Sequence, residues 1–168
     1  GGRFVEGTTL ADAAGNAVLL LYTYDEQRKC FRYWAFLSGP GGHEGYEFPI
    51  NGTWNEAART LDWTGFAADQ QPLTAQHHFL SEDAFEGTIL VKSSIGEDTY
   101  RAESRFVRVQ ESQNPDQPAI GTGTPNLGQT AQQKVLDRFL GTWNEEKTEF
   151  KAQWTPDEKH TTETCNFT

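Results

Sequence analysis

Read from its residues alone, the 168-residue chain is an all-β protein, an antiparallel up-and-down barrel of about ten strands with one short helix. Three observations predict this. Five Trp, five Tyr and eleven Phe gather with β-branched residues in strand-sized runs bounded by turn residues, and such side chains suit a half-buried pleated surface. Connections between successive runs are short, which favours antiparallel neighbours, because parallel pairing needs long crossovers. Near residue 135 the apolar spacing turns helical, and two further strand-like runs follow.

The elements come in order. Residues 3–10 are the first run, and Ala11-Asp12-Ala13-Ala14-Gly15-Asn16 a loop. Residues 17–24, the most apolar run, end in a charged turn, Asp25-Glu26-Gln27-Arg28-Lys29. Residues 31–38 place Phe31, Tyr33, Ala35 and Leu37 on one face and Arg32, Trp34 and Phe36 on the other. Gly39-Pro40-Gly41-Gly42 breaks the chain. Residues 44–54 are extended with an interruption at Pro49, Asn55-Glu56-Ala57-Ala58 is a hairpin turn, and residues 59–67 return. Residues 73–81, 85–94 and 98–109 complete a meander. Residues 110–133 hold Gln, Asn, Gly, Thr and three prolines with few apolar residues, the composition of a flexible linker. Val135-Leu136-Asp137-Arg138-Phe139-Leu140 then has helical spacing, stopped by Gly141. Residues 143–154 and 160–168 are the last two strands. Residues 1–109 thus supply eight strands, 110–133 the linker, and 134–168 a helix and two strands that complete the same barrel.

Charge narrows the function. Fourteen basic residues against twenty-four acidic ones leave a net −10. That balance opposes sequence-independent binding to nucleic acid or to an anionic membrane. The longest apolar run, residues 17–22, is far below the ~18 residues of a transmembrane helix. A chain that opens Gly1-Gly2-Arg3-Phe4 and contains no Met reads as a processed product or a piece of something longer. Cys30 and Cys165 lie far apart with no metal-type spacing.

The stretch Leu136-Asp137-Arg138-Phe139-Leu140-Gly141-Thr142-Trp143 resembles the opening of a lipocalin-type barrel, where a short helix runs into a strand bearing Gly-x-Trp. The resemblance implies that the helix plugs one end, that Gly141 allows the tight turn, and that Trp143 lies across the closed end. It also implies a basic side chain of the family barrel's last strand on the Trp, with Arg105 or Arg108 as candidates. A wider likeness covers most of the chain. Gly1-Gly2-Arg3-Phe4, Tyr24-Asp25 ahead of Tyr33-Trp34, and Gly52-Thr53-Trp54 ahead of Thr60-Leu61 resemble a bacterial domain-of-unknown-function family with a lipocalin or fatty-acid-binding-protein-like barrel. Members of that family begin with the Gly-x-Trp strand, whereas here it comes near the end. The order fits either a circular permutant or a piece cut across tandem modules. Closure within one molecule, as a monomer, is expected over exchange of the last strands in a dimer.

No motif carries catalysis, a metal or a cofactor: there is no Gly-x-Ser-x-Gly, His-Glu-x-x-His, phosphate-cradling loop or Cys-x-x-Cys. His77 and His78 are adjacent in a strand, so they face opposite ways. His77 shares its face with Leu73, Ala75 and Phe79, and reads either as a satisfied core histidine or as a base, ligand contact or haem ligand. His43 and His160 read as solvated. In residues 98–109, Arg101, Glu103 and Arg105 lie opposite Tyr100, Ala102, Ser104 and Phe106. The charged face reads as a solvent-facing ladder. Turned inward, as in lipid-binding barrels, Arg105 with Tyr22 and Trp34 would line a cavity and hold a carboxylate. The run Asn144-Glu145-Glu146-Lys147-Thr148-Glu149 reads as the exposed side of an edge-prone strand. The leading expectation is a non-enzymatic module for a small apolar or amphipathic ligand, touching Tyr22, Trp34, His77 and Arg105. The alternatives are a structural module filled by its own side chains, and a haem-binding or isomerase-like barrel using His77.

Overall fold

Burial alternates along the strands. In β1 (Phe4–Thr9) Val5 and Gly7 are buried while Phe4, Glu6 and Thr8 are exposed. The computed structural model describes residues 4–9, 17–39, 42–45, 50–67, 70–109, 130–150 and 158–168. The expected loop at 11–16, most of the expected linker (110–129) and the expected turn at 155–157 lie outside them. So do Pro40, Gly41, the expected interruption at Pro49 and the side chain of His43.

The further elements are β2 (Ala17–Asp25), β3 (Cys30–Gly39), β4 (Gly42–Gly45), β5 (Ile50–Asn55), β6 (Thr60–Phe66), β7 (Pro72–Phe79), β8 (Ala84–Lys92), β9 (Asp98–Arg108), α1 (Ala131–Asp137), β10 (Gly141–Phe150) and β11 (Lys159–Phe167). Every pairing is antiparallel, and a β2–β3 contact closes the sheet. Strands β1 to β9 form the meander. The β10–β11 hairpin fills the slot between β9 and β1, with Trp143 opposite Arg108 and Phe167 opposite Gly7. β4 and β5 both pair with β3, β4 along Phe36–Gly39 and β5 along Phe31–Tyr33. Because β2 occupies the other edge of β3, these two lie one after the other along the same edge of β3 and fill one position of the ring. The result is a closed, ten-position antiparallel barrel. Among the described residues no helix is long and apolar enough to cross a membrane.

Two hairpin turns are built alike. Asp25 Oδ1 accepts from the backbone N–H groups of Gln27 and Arg28, both at 3.0 Å. Asn55 Oδ1 accepts from Ala58 N–H at 3.1 Å. Each turn ends on a left-handed residue, Lys29 and Arg59, both at φ 54°.

The helix starts earlier than its apolar spacing suggests. Gln133 N–H donates to Thr130 Oγ1 at 3.2 Å and Thr130 N–H donates to Gln133 Oε1 at 2.9 Å, a reciprocal capping box. The last residues of the expected linker are therefore the first turn of α1. Beyond it Phe139 is fully buried, stacked on Tyr22 with ring centroids 4.8 Å apart and edge-on to Phe79 and Phe85.

This plug is locked from below. Trp143 is fully buried, and its indole N–H donates to the Phe139 carbonyl at 2.7 Å. The Arg108 guanidinium lies 4.1 Å over the Trp143 ring. It donates to the Leu140 carbonyl, and to the Glu82 carbonyl at 2.9 Å. Gly141 has φ +118°, and a Cβ there would collide with the Arg108 Nη1.

Two substitutions test the plug by urea unfolding. Trp143→Ala is expected to lower the unfolding free energy by about 3–5 kcal/mol. Gly141→Ala, which combines a positive φ with a collision, is expected to lower it by about 1–3 kcal/mol. An unchanged midpoint in either would show that the plug does not hold the barrel closed.

Candidate functional site

Beyond the aromatic plug the barrel is hollow. A cavity of about 720 Å³ lies inside the ring, within the range of about 300–1,000 Å³ common for small-molecule sites. Its walls differ in chemistry. Val18, Leu20, Ala35, Ile89 and Val91 give an apolar side, with Tyr22, Tyr33, Phe85, Phe106 and Phe167 toward the plug. Strands β9, β10 and β11 carry Tyr100, Ser104, Glu145, Lys147, Glu149, Glu163 and Cys165.

The charged wall follows from strand phase. Trp143 points inward, and successive side chains alternate, so Glu145, Lys147 and Glu149 also point inward. This corrects the reading of residues 144–149 as an exposed edge. Only Asn144 and Glu146 of that run are fully exposed.

The polar groups inside are partly matched. Lys147 Nζ lies 3.0 Å from Glu149 Oε1, which also accepts from the Tyr100 hydroxyl at 2.9 Å. Burial works against charge on Lys147, but Glu149, and more weakly Glu145 and Glu163, outweigh it and raise its pKa. Burial likewise opposes charge on Glu149, and Lys147 and Tyr100 overcome it, leaving that carboxyl below its ordinary value. Glu145 accepts from Ser104 Oγ at 2.6 Å and from Cys165 Sγ at 3.3 Å. Burial pushes the Cys165 thiol well up, and Glu145 adds to the effect, so this cysteine is a neutral donor.

The anticipated ligand contacts divide. Tyr22 lines the cavity at 2% exposure, stacked on Tyr33 with centroids 5.0 Å apart. Burial, ahead of Tyr33, Cys165 and Glu145, raises its pKa well above 10. His77 also lines the cavity. Its Nδ1 accepts the Trp63 indole N–H at 2.9 Å, so the proton of the neutral ring sits on Nε2. Burial lowers its pKa to about 4.

Trp34 and Arg105 do not line the cavity. Trp34 sits on the outer face, beneath the Arg32 guanidinium and 6.4 Å from the ring of exposed Phe4. Tyr33 and Ala35, one residue to either side, are the cavity contacts. Arg105 is exposed on the outer face of β9 while Ser104 and Phe106 face in. Among the described residues no arginine lines the cavity, and the arginine on Trp143 is Arg108. His160 is exposed, 3.0 Å from Thr148 Oγ1. Among the described residues no group of three His, Cys, Asp or Glu could hold a metal ion.

Compared with known proteins, the chain matches no family model, no curated protein and no solved structure. The architecture itself, a ten-position antiparallel barrel, is what stands of the family resemblance.

The buried imidazole makes stability depend on pH. His77 binds its proton near pH 6.5 when unfolded and near 4 when folded. Between those values the unfolded chain holds more protons, so stability is full above pH 6.5 and falls as pH drops toward 4. The loss approaches about 3 kcal/mol at the bottom of that window. Glu149, held low, adds its own loss only below its ordinary range. In urea unfolding across this window His77→Gln, which keeps an acceptor for Trp63, should flatten the profile. An unchanged slope would assign the titration to another group.

Proposed function

We propose that this barrel is a non-enzymatic binding module for a small amphipathic ligand. The observation that carries the reading is the cavity of about 720 Å³ lined both by apolar side chains of β2, β3 and β8 and by polar groups of β9, β10 and β11. A site of that make-up buries an apolar body and orients a polar head. The inference from barrel to ligand-binding function is an analogy of architecture, and the two-sided lining supports it.

The order of parts supports a permuted lipocalin-like reading. α1 and the Gly141-Thr142-Trp143 strand, which open such barrels, come last here, and their strands lie between β9 and β1. In this reading residues 1–109 and 134–168 make one barrel and 110–133 link them.

The filled-module alternative draws on the plug half, where Phe79, Phe85, Phe139 and Trp143 leave no room. The other half is hollow, which favours a ligand. Iron ligation through Nε2 of His77 would put the ring proton on Nδ1, facing the Trp63 N–H. That geometry opposes the haem reading.

Native mass spectrometry of freshly purified protein, then of the same sample denatured, tests the proposal. The expected result is a monomer that sheds a small mass on denaturation. A bare chain that also takes up no amphiphile would leave the filled structural module. A dimer would point to exchange of the β10–β11 hairpin.

A further inference from the structure

The charges inside the barrel say which kind of amphiphile it takes. Glu145 and Glu163 are direct cross-strand partners on β10 and β11, and both line the cavity. Like charges so placed repel, because such pairs hold their Cβ atoms only about 5 Å apart. The one cavity-lining cation among the described residues, Lys147, is engaged with Glu149 at 3.0 Å. Glu145 is held by two neutral donors, Ser104 and Cys165. Glu145 and Glu163 act on Lys147 more weakly than Glu149 does, and among the described residues neither makes a close ion-pair contact.

Tyr22 points to the same place independently. It is 2% exposed and lines the cavity, yet its hydroxyl has no hydrogen-bond partner among the described residues. The ring faces of Tyr22 and Tyr33 offer cation–π contact to a positive group. A carboxylate head would meet two glutamates and, among the described residues, no arginine.

Resting on the ligand-binding reading, we infer that the ligand is a cationic amphiphile whose protonated amine sits between Glu145, Glu163 and the Tyr22 hydroxyl. Its apolar body runs away from the plug along Leu20, Ile89 and Val91. Along β10, Glu145 is the charged residue nearest Trp143, so the head enters first and lies deepest.

Three probes of one chain length separate the possibilities: dodecylammonium, dodecanol and dodecanoate. Each is titrated calorimetrically into the whole chain at neutral pH, below its micelle concentration. Dodecylammonium is expected to bind one per chain, about tenfold tighter than dodecanol, with dodecanoate weakest. In the isosteric double variant Glu145→Gln, Glu163→Gln the amine's advantage over dodecanol should largely vanish while dodecanol affinity holds. Glu146→Gln, on the outer face of the same strand, should leave the ratio unchanged and so exclude attraction to the acidic surface. Should the double variant fail to fold, the order of head groups on the unaltered chain still decides.

Dodecanoate binding as tightly as the amine would overturn the charge assignment and leave the binding module standing. Binding of none of the three would overturn both.

Discussion

The position of one side chain sets the phase of the barrel's interior. Trp143 is pinned from two sides, by its own N–H on the Phe139 carbonyl and by the Arg108 guanidinium across its ring. Arg108 in turn ties the end of β9 to the carbonyls of Leu140 and Glu82. Gly141 must bend sharply for this to happen, and the guanidinium takes the space its missing side chain leaves. With Trp143 fixed inward, alternation decides the remainder of β10. Slipping that strand by one residue would bury Asn144, Glu146 and Thr148 and expel the Trp. The energy of one large buried aromatic therefore holds three charged residues inside.

That coupling divides the molecule into two halves. Near α1 the interior is dry and full, with Phe139 stacked on Tyr22 and surrounded by Phe79, Phe85 and His77. Away from α1 the side chains shorten or become polar: Ala35 on β3, Gly87 on β8, Ala102 and Ser104 on β9. Such residues cannot meet across the ring, so space remains. His77 and Tyr22 stand at the boundary, each packed on the aromatic side and each with a polar atom left for the hollow side.

Much of this was legible in the sequence, and the part that was not has a definite cause. Strand boundaries followed from aromatic runs and turn residues, and each expected strand appears within a few residues. On β3 and β9 the two faces were sorted correctly, but the wrong face supplied Trp34 and Arg105. Both choices followed chemistry, a large aromatic and a bidentate cation, over phase. Tyr33 was the better choice because it alternates with Phe31 and Ala35, which are buried. The acidic run on β10 misled for the opposite reason. Charge density suggested solvent, while counting by two from Trp143 would have turned Glu145, Lys147 and Glu149 inward. The helix start was missed because Thr130 and Gln133 carry no apolar signal, and only their spacing announces a capping box.

The interior charges also bear on whether the barrel serves as a filled support. A support gains from burying apolar side chains, and it loses when carboxylates are drawn away from water without partners. Here Lys147 and Glu149 satisfy one another, with Tyr100 assisting. Glu145 is met by the neutral donors Ser104 and Cys165 and not by a close cation, and it stands opposite Glu163 across a strand pair. Replacing both by apolar residues would fill space, relieve repulsion and strengthen the sheet. The fold keeps them, with the Tyr22 phenol within the field of Glu145, and a ligand-binding barrel would have a use for them that a filled support would not. Opposed carboxylates become favourable when a positive charge lies between them, and the aromatic faces beside them strengthen that preference. The feature that weakens the empty barrel is the one that would hold an amine.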